Sequence, residues 1–223
     1  MTGADPLRLA ILISGRGSNM TAIARACAEA RINARVSLVI SERPQAAGLD
    51  SARALGIETR TVAWPGTADR LRFEQELDAA LAAASPDLVV LAGFMRILSQ
   101  QFVEPRAGRI LNIHPSLLPN FRGLHTHRRV LEAGDAVHGA SVHFVTAELD
   151  GGPVILQSRV AVRPRETEDS LSARVQATEH IIYPRVIGWL ADGRLAWREG
   201  RAWLDGKALA APVVEEFDGS REI

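Results

Sequence analysis

The chain has 223 residues, 26 basic and 26 acidic side chains, and a hydrophobic fraction of 47%. This length and composition predict one globular domain, residues 1–223, with a substantial core. The zero formal charge argues against bulk attraction to nucleic acid or to anionic membranes, so any phosphate is expected to be bound locally. The predicted partners are therefore small molecules, with neither nucleic acid nor membrane among them.

The scarcity of cysteine and lysine excludes further classes of protein. Cys27 is the only cysteine, which leaves no internal disulfide and no thiolate metal cage. The apolar run before Ser14 is too short to span a membrane and lacks a signal-peptide cleavage pattern, so a cytoplasmic location is predicted. Lys207 is the only lysine, which excludes Schiff-base chemistry and a Walker-type phosphate lysine from the central region.

The first half of the chain alternates short apolar runs with helical patterns, as expected for a parallel sheet built from βαβ units. The first helix is expected to be capped by Ser18 or Asn19. The predicted elements are strand 7–13, a helix ending near 31, strand 35–40, helix 46–55, strand 58–62, helix 67–84 and strand 87–92.

The pattern changes beyond Phe94. The predicted elements there are a short helical piece, strand 109–113, an ordered loop 116–124, helix 126–133, strands 139–146 and 154–162, and helix 168–190. The last two strands are expected to form an antiparallel hairpin at the far end of the sheet, followed by small hairpins and a frayed tail from Pro212. The predicted fold class is α/β, a mostly parallel twisted sheet flanked by helices with an antiparallel C-terminal portion.

A glycine-rich turn, Ser14-Gly15-Arg16-Gly17-Ser18-Asn19, follows the first strand and opens a helix. Backbone N–H groups at such a helix N-terminus can hold a phosphate. Met20 stands where a dinucleotide fingerprint needs a small residue, so a monophosphate fits better than a pyrophosphate. The alternative is a tight turn that needs its glycines for backbone geometry alone.

Asn112 and His114 lie two residues apart at the end of a predicted strand, so both side chains point to the same face. An amide donor and an imidazolium donor aimed at one carbonyl oxygen would stabilise the oxyanion of a tetrahedral intermediate. The alternative is that both side chains satisfy loop backbone groups at a strand end.

Asp150 lies in an Asp-Gly-Gly turn, where Asp and Gly are favoured for conformational reasons alone. If this turn folds against His114, the carboxylate would favour the protonated ring and make it a better donor. The remaining histidines show no strong metal pattern, and no metal is predicted. For His125, His127, His138 and His143 we expect surface or helix-capping roles, with His125 a candidate pocket residue.

Six ordered segments closely resemble the phosphoribosylglycinamide formyltransferase family of purine biosynthesis, over roughly residues 7–209: SGRGSN, VVLAGFMRIL, NIHPSLLP, GLHTHR, HGASVHFVTAELDGGPVILQ and VQATEHIIYP. The resemblance implies a single-domain formyltransferase-type fold. Residues of about 7–100 would form the phosphoribosyl-substrate half and about 101–209 the folate half, with 210–223 as a tail.

The resemblance also implies site residues. The catalytic residues would be Asn112, His114 and Asp150. The phosphoribosyl substrate would be held by Gly17, Ser18, Asn19, Gln176 and Glu179. The folate would be held by Arg70, Met95, Arg96, Ile97, Leu98 and Asn112.

The implied reaction is direct attack of a glycinamide amine on the formyl carbon of 10-formyltetrahydrofolate, without a covalent enzyme intermediate. Asn112 and protonated His114 would stabilise the oxyanion, while Asp150 would hold His114 charged and help move a proton to the departing folate nitrogen. The folate is a co-substrate; no metal, nicotinamide or pyridoxal phosphate is expected, and the protein would be a monomer or a homodimer.

Three other functions are compatible with parts of the sequence. Methionyl-tRNA formyltransferase shares the Asn-x-His pair and the loop Asp but resembles a longer chain with a second, tRNA-facing domain. A formyltetrahydrofolate deformylase, which is a hydrolase, shares the trio but normally carries an N-terminal regulatory domain, for which this chain offers no counterpart. A non-catalytic nucleotide-binding module is the third alternative, and the intact trio weighs against it.

Overall fold

The structure is a computed structural model that describes residues 5–217. The N-terminal half alternates strands and helices. Its elements are β1 (Leu7–Ile13), α1 (Ser18–Ala28), β2 (Ala34–Ser41), α2 (Ala47–Ala54), β3 (Thr59–Thr61), a 3₁₀ turn (Thr67–Asp69), α3 (Arg70–Ala84) and β4 (Leu88–Leu91).

The second half begins with a short helix and contains the longest helix among the described residues. Its elements are α4 (Gln100–Val103), a 3₁₀ turn (Glu104–Arg106), β5 (Ile110–His114), α5 (Thr126–Ala133), β6 (Val137–Phe144), β7 (Val154–Ala161), α6 (Glu168–Ala191), β8 (Leu195–Arg198), β9 (Arg201–Leu204), β10 (Lys207–Ala208) and β11 (Val213–Phe217).

Eight strands form one sheet in the order β11-β7-β6-β5-β4-β1-β2-β3. The pairings from β3 through β5 are parallel, while β6 is antiparallel to both β5 and β7. Strands β8 to β10 form a separate three-stranded antiparallel sheet. The predicted fold class and the β6–β7 antiparallel pair are confirmed.

The central strands are apolar throughout because both faces of the sheet are covered. In β1 the alternating side chains of Leu9, Ile11 and Ile13 enter one core, with α1 and α6, while Ala10 and Leu12 enter the other, with α3. The chain leaves β1 outward through β2 and β3, then crosses back to β4 on the other side of β1. A crevice therefore opens where β1 and β4 end, the position at which doubly wound sheets bind ligands.

Two local predictions were wrong. Helix α1 is preceded by Gly17 in the left-handed conformation with no side-chain cap, because Asn19 turns to another partner and Ser18 is already helical. Residues 213–217 are not frayed: they pair in parallel with β7 as an edge strand, and Val213 and Phe217 pack against the core. Residues 218–223 of the predicted tail lie outside the described residues, and the division into two substrate halves stays a prediction.

Candidate active site

A cavity of about 630 Å³ opens at the carboxyl ends of β1, β4 and β5. This volume is in the range of pockets that bind small organic ligands. The cavity collects nearly all of the predicted site residues, from segments far apart in sequence. They are Gly17, Ser18, Asn19, Met95, Arg96, Ile97, Leu98, Asn112, His114, Asp150, Gln176 and Glu179.

We call one end of the cavity the glycine end, formed by residues 15–19, Gln176 and Glu179. Gly17 has φ +72°, and Gly48 of α2 packs directly under the turn, donating its N–H to Gly15 O at 2.9 Å. A Cβ at Gly48 would come within 3.0 Å of Gly15 O, so this close approach requires glycine. The first turn of α1 consequently presents its free N–H groups to the cavity, as an anion site would.

Glu179 forms the floor of the glycine end. It is buried, and Asn19 Nδ2 donates to its Oε2 at 2.8 Å. Burial raises the pKa of Glu179 to about 7, against the smaller lowering by the Asn19 hydrogen bond. The buried Asn19 Oδ1 has no hydrogen-bond partner among residues 5–217. A ligand with hydroxyl or amine donors would satisfy both residues.

The other end of the cavity, the loop end, is formed by residues 93–98, 115–125 and 145–150. At its base, Asn112 of β5 lies directly opposite His143 of β6 in the antiparallel register. His143 Nδ1 donates to Phe144 O at 2.8 Å, and burial lowers the pKa of His143, so the neutral ring accepts at Nε2 from Asn112 Nδ2 at 3.1 Å. His143 thus fixes the Asn112 amide and leaves its second N–H free.

His114 ends β5 with its ring held on both edges. Nε2 lies 3.0 Å from Phe121 O, and Nδ1 lies 3.5 Å from Asp150 Oδ2. Both side chains of the His114–Asp150 pair are only 8% exposed. The structure therefore brings Asn112, His114 and Asp150 to one point, a proximity that sequence spacing alone did not establish.

Asp150 has φ +48°, a left-handed conformation that is unusual for a non-glycine residue. Its Oδ2 also accepts the backbone N–H of Gly123 at 3.0 Å, and its Oδ1 lies 3.9 Å from His143 Nε2. One carboxylate therefore joins the loop after β5, the loop after β6 and both histidines. Backbone strain maintained by converging contacts is common at functional sites.

Arg70 does not line the cavity. Its Nε donates to Glu74 Oε1 at 3.1 Å and its Nη2 to Ile97 O at 2.6 Å, so it supports residues 93–98 from behind. Met95 and Ile97 are 54% and 60% exposed at the mouth of the cavity, an apolar surface suited to a flat organic ligand. A direct contact between Arg70 and a folate stays a prediction.

The structure corrects the assignment of the other histidines. His138 is buried, and its Nε2 shares a hydrogen bond of 2.9 Å with His127 Nδ1. Burial lowers the pKa of His138 to about 4. His143 is equally buried and touches the site. The surface prediction was wrong for both, because β6 is covered on each face. His125 lines the cavity and precedes α5, as expected. No local sequence pattern indicated a role for His143, because its contact with Asn112 depends on the β5–β6 register.

Within residues 5–217, no group of three His, Cys, Asp or Glu side chains is arranged to hold a metal ion. No helix in the same range is long and apolar enough to cross a membrane.

The strand order of the parallel sheet reverses at β1, and in the crevice beside it an Asn-x-His strand end faces a loop aspartate. This arrangement is that of a group-transfer site of the formyltransferase type. A sequence model of the formyl transferase family matches residues 7–187. The chain belongs to this family.

Two relatives cover nearly the whole chain. Phosphoribosylglycinamide formyltransferase of Escherichia coli K12 is 54% identical over 203 residues, which are 91% of this chain and 96% of that protein. The solved structure of phosphoribosylglycinamide formyltransferase from Coxiella burnetii is 43% identical, with a TM-score of 0.87 over 93% of this chain and 99% of that one. A formyltetrahydrofolate deformylase structure from Pseudomonas syringae, 23% identical with a TM-score of 0.84, shares the fold alone.

Proposed function

We propose that this protein transfers the formyl group of 10-formyltetrahydrofolate to the amine of phosphoribosylglycinamide, a step of purine biosynthesis. The observation that carries the proposal is the convergence of Asn112, His114 and Asp150 in one cavity whose two ends differ in chemistry. The names of the relatives that match nearly the whole chain supply the acceptor, phosphoribosylglycinamide, and the transferred formyl group.

The glycine end suits the phosphoribosyl substrate. The N–H groups of Gly17, Ser18 and Asn19 would bind its phosphate, since a helix N-terminus favours an anion. Gln176 and Glu179 would face the ribose and glycinamide portion, where the unsatisfied Asn19 Oδ1 and the buried Glu179 carboxyl need donors.

The loop end suits the folate. Met95, Ile97 and Leu98 offer apolar surface and backbone groups, and Arg96 adds a positive charge at the wall of the cavity. With this placement, Asn112 lies where the formyl group of the folate would meet the amine of the other substrate. Holding both substrates in this geometry supplies part of the rate acceleration.

The reaction forms a bond between the amine nitrogen and the formyl carbon, and it breaks the bond from that carbon to the folate nitrogen. Negative charge develops on the formyl oxygen, where the free N–H of Asn112 and a proton on His114 Nδ1 would stabilise it. Nε2 of His114 lies 3.0 Å from the Phe121 carbonyl oxygen, while Nδ1 faces the Asp150 carboxylate at 3.5 Å.

Asp150 would keep the imidazolium in place and accept the proton that the attacking amine loses. The 3.5 Å separation of His114 Nδ1 from Asp150 Oδ2 is longer than a tight hydrogen bond, which leaves the Nδ1 proton available to a developing oxyanion. Asp150 would then give the proton from the amine to the departing folate nitrogen as the bond from that nitrogen to the formyl carbon breaks, so no covalent enzyme intermediate is needed. The protein would act as a monomer or homodimer in the cytoplasm.

The test is an assay of the purified protein with 10-formyltetrahydrofolate, with and without phosphoribosylglycinamide, following tetrahydrofolate and the formylated product. Acceptor-dependent formation of both in equal amounts is the expected result. Tetrahydrofolate release without acceptor would instead identify a hydrolase, and no turnover in either mixture would refute the proposed activity.

A further inference from the structure

Residues 93–98, which we call the strap, form the wall of the loop end between β4 and α4. The start of the strap is joined to Ser14 by two hydrogen bonds. Ser14 Oγ accepts the backbone N–H of Met95 at 2.7 Å, while Ser14 N donates to Gly93 O at 3.2 Å. Because Ser14 is also the first residue of the glycine-rich turn, the two ends of the cavity share an anchor.

That hydroxyl is itself oriented by a buried carboxylate. Ser14 Oγ donates to Glu42 Oε2 at 2.9 Å, and the Glu42 side chain is fully buried after β2. An oriented chain of hydrogen bonds thus runs from Met95 N–H through Ser14 to Glu42. It joins the carboxyl ends of β4, β1 and β2, since all three strands are parallel.

The second carboxylate oxygen faces the strap directly. Glu42 Oε1 lies 3.4 Å from Arg96 Nε and 3.5 Å from Arg43 Nε. These are ion-pair contacts, since neither Oε1 nor Arg96 Nε has a hydrogen-bond partner in the described residues. Trp64 covers the other side of Arg96, with 5.1 Å from the guanidinium carbon to the ring centroid. Arg96 is therefore confined between a buried anion and an aromatic face.

We propose that Glu42 is a positioning residue for formyl-donor binding: through Ser14 and Arg96 it fixes the strap relative to the glycine-rich turn. This inference rests on the proposed function, because it assigns the strap to the folate. Glu42 does not line the cavity, so it acts through the strap and does not touch a substrate.

The far end of the strap supports this assignment, because it is anchored separately. Glu74 accepts from Ser99 N at 2.7 Å and from Arg70 Nε, whose guanidinium also holds Ile97 O. Buried carboxylates therefore anchor residues on both sides of the strap. Losing only the Glu42 anchor should loosen residues 93–96 while the end at Ser99 remains fixed.

The experiment compares Glu42→Gln and Glu42→Leu with Glu166→Gln. Glu42→Gln keeps an oxygen that can accept from Ser14 and removes the charge beside Arg96, while Glu42→Leu removes both contacts. Glu166 is the matched control, since it is equally buried, pairs with Arg174 at 2.9 Å and lies outside the cavity lining.

For Glu42→Gln we expect the KM for 10-formyltetrahydrofolate to rise about tenfold, with kcat and the acceptor KM within about threefold of wild type. Glu42→Leu should raise the donor KM further. In Ser14→Ala/Glu42→Gln, the combined effect should be smaller than the product of the single effects, because both residues act on one backbone contact. Glu166→Gln should leave both KM values unchanged.

Hydrogen exchange gives a readout that does not depend on turnover. The amide of Met95 should exchange faster in both Glu42 variants than in Glu166→Gln, with exchange at Ser99 unchanged. Equal exchange at Met95 in all variants, or equal changes in the donor and acceptor KM, would overturn the inference. Wild-type protein that transfers no formyl group would refute the proposed function instead, and the exchange comparison would still decide whether Glu42 anchors the strap.

Discussion

The glycine end and the loop end of the cavity are built in different ways. The glycine end is part of the framework, with a turn packed against Gly48 and two side chains from the middle of the long helix α6. The loop end consists of connecting segments that are held to one another by side chains, with Asp150 at the centre. The glycine end is therefore maintained by backbone packing, while the loop end depends on a few charged contacts.

The largest expected effect tests the loop end. In Asp150→Asn the side-chain oxygen can still accept from Gly123 N–H, but no negative charge faces His114. We expect kcat to fall by about 10²–10³-fold, within the range for loss of an acid–base group. Steady-state kinetics with both substrates would check this, and the acceptor KM should stay within about threefold because the glycine end is untouched. A kcat within about threefold of wild type would remove Asp150 from the mechanism.

Gly48→Ala tests whether backbone packing maintains the glycine end. The new Cβ would lie 2.5 Å from Ile13 Cδ1 and 3.0 Å from Gly15 O, so the turn must move. We expect a loss of about 1–3 kcal/mol in the free energy of unfolding, typical of overpacking, and an acceptor KM about tenfold higher with the donor KM unchanged.

The matched control for Gly48→Ala is Gly56→Ala, just beyond the other end of α2. Gly56 has φ +71° and no atom within 4 Å of a Cβ there, so alanine costs stability without displacing the turn. If Gly56→Ala raised the acceptor KM as much as Gly48→Ala, general destabilisation would explain both, and the backbone-packing account of the glycine end would fail.

Glu179→Gln asks whether the buried carboxyl of the glycine end binds the acceptor in its charged form. Because the pKa of Glu179 is about 7, the carboxylate gains a proton as the pH falls through neutrality. For wild type we expect the acceptor KM to rise about threefold between about pH 7.5 and about pH 6.5. In Glu179→Gln the acceptor KM should be raised and should not vary over this interval.

The raised pKa of Glu179 also affects folding. In the ligand-free folded protein, the Glu179 carboxyl keeps its proton at pH values above its ordinary pKa of 4.5. The free energy of unfolding should therefore decrease as the pH rises from 4.5 to about 7. Thermal unfolding of wild type and Glu179→Gln would show whether this slope disappears in the variant. Identical slopes in both proteins would contradict the assignment.

The sequence allowed the two ends to be predicted to different degrees. The glycine-rich turn after an apolar strand is a local pattern, so its position at the cavity could be predicted from neighbouring residues alone. Asn112 and His114 could be placed on one face because strand periodicity is local as well. These local patterns cover most of the parallel sheet, the glycine end of the cavity and the strand β5 at the base of the loop end.

The contacts of the loop end join residues that are far apart in the chain, and no local pattern encodes them. His143 reaches Asn112 only because of the β5–β6 register, and Ser14 meets Glu42 only because two parallel strands end together. Asp150 and Gly123 meet through two loops whose paths depend on each other. Likewise, Val213–Phe217 forms a strand because β7 would otherwise present an open edge, which is a property of the assembled sheet.

The smallest expected effect concerns the surface of the loop end. Arg122 and Glu148 form an ion pair between the two loops that Asp150 also joins, with side chains 39% and 65% exposed. Exposed pairs contribute about 0–1 kcal/mol, so Glu148→Gln should raise the donor KM only about twofold at low ionic strength. At about 1 M salt, where the Debye length is about 3 Å, the difference in donor KM between Glu148→Gln and wild type should vanish.

Glu216→Gln provides the control for Glu148→Gln, because Glu216 pairs with Arg159 at 2.9 Å with exposures of 39% and 66%, on strands remote from the cavity. A twofold, salt-sensitive rise in the donor KM for Glu148→Gln alone would show that even a weak surface contact affects loops held mainly by side chains. If Glu148→Gln and Glu216→Gln were both silent at every salt concentration, the contacts of Asp150 would be sufficient to hold together the loops after β5 and β6.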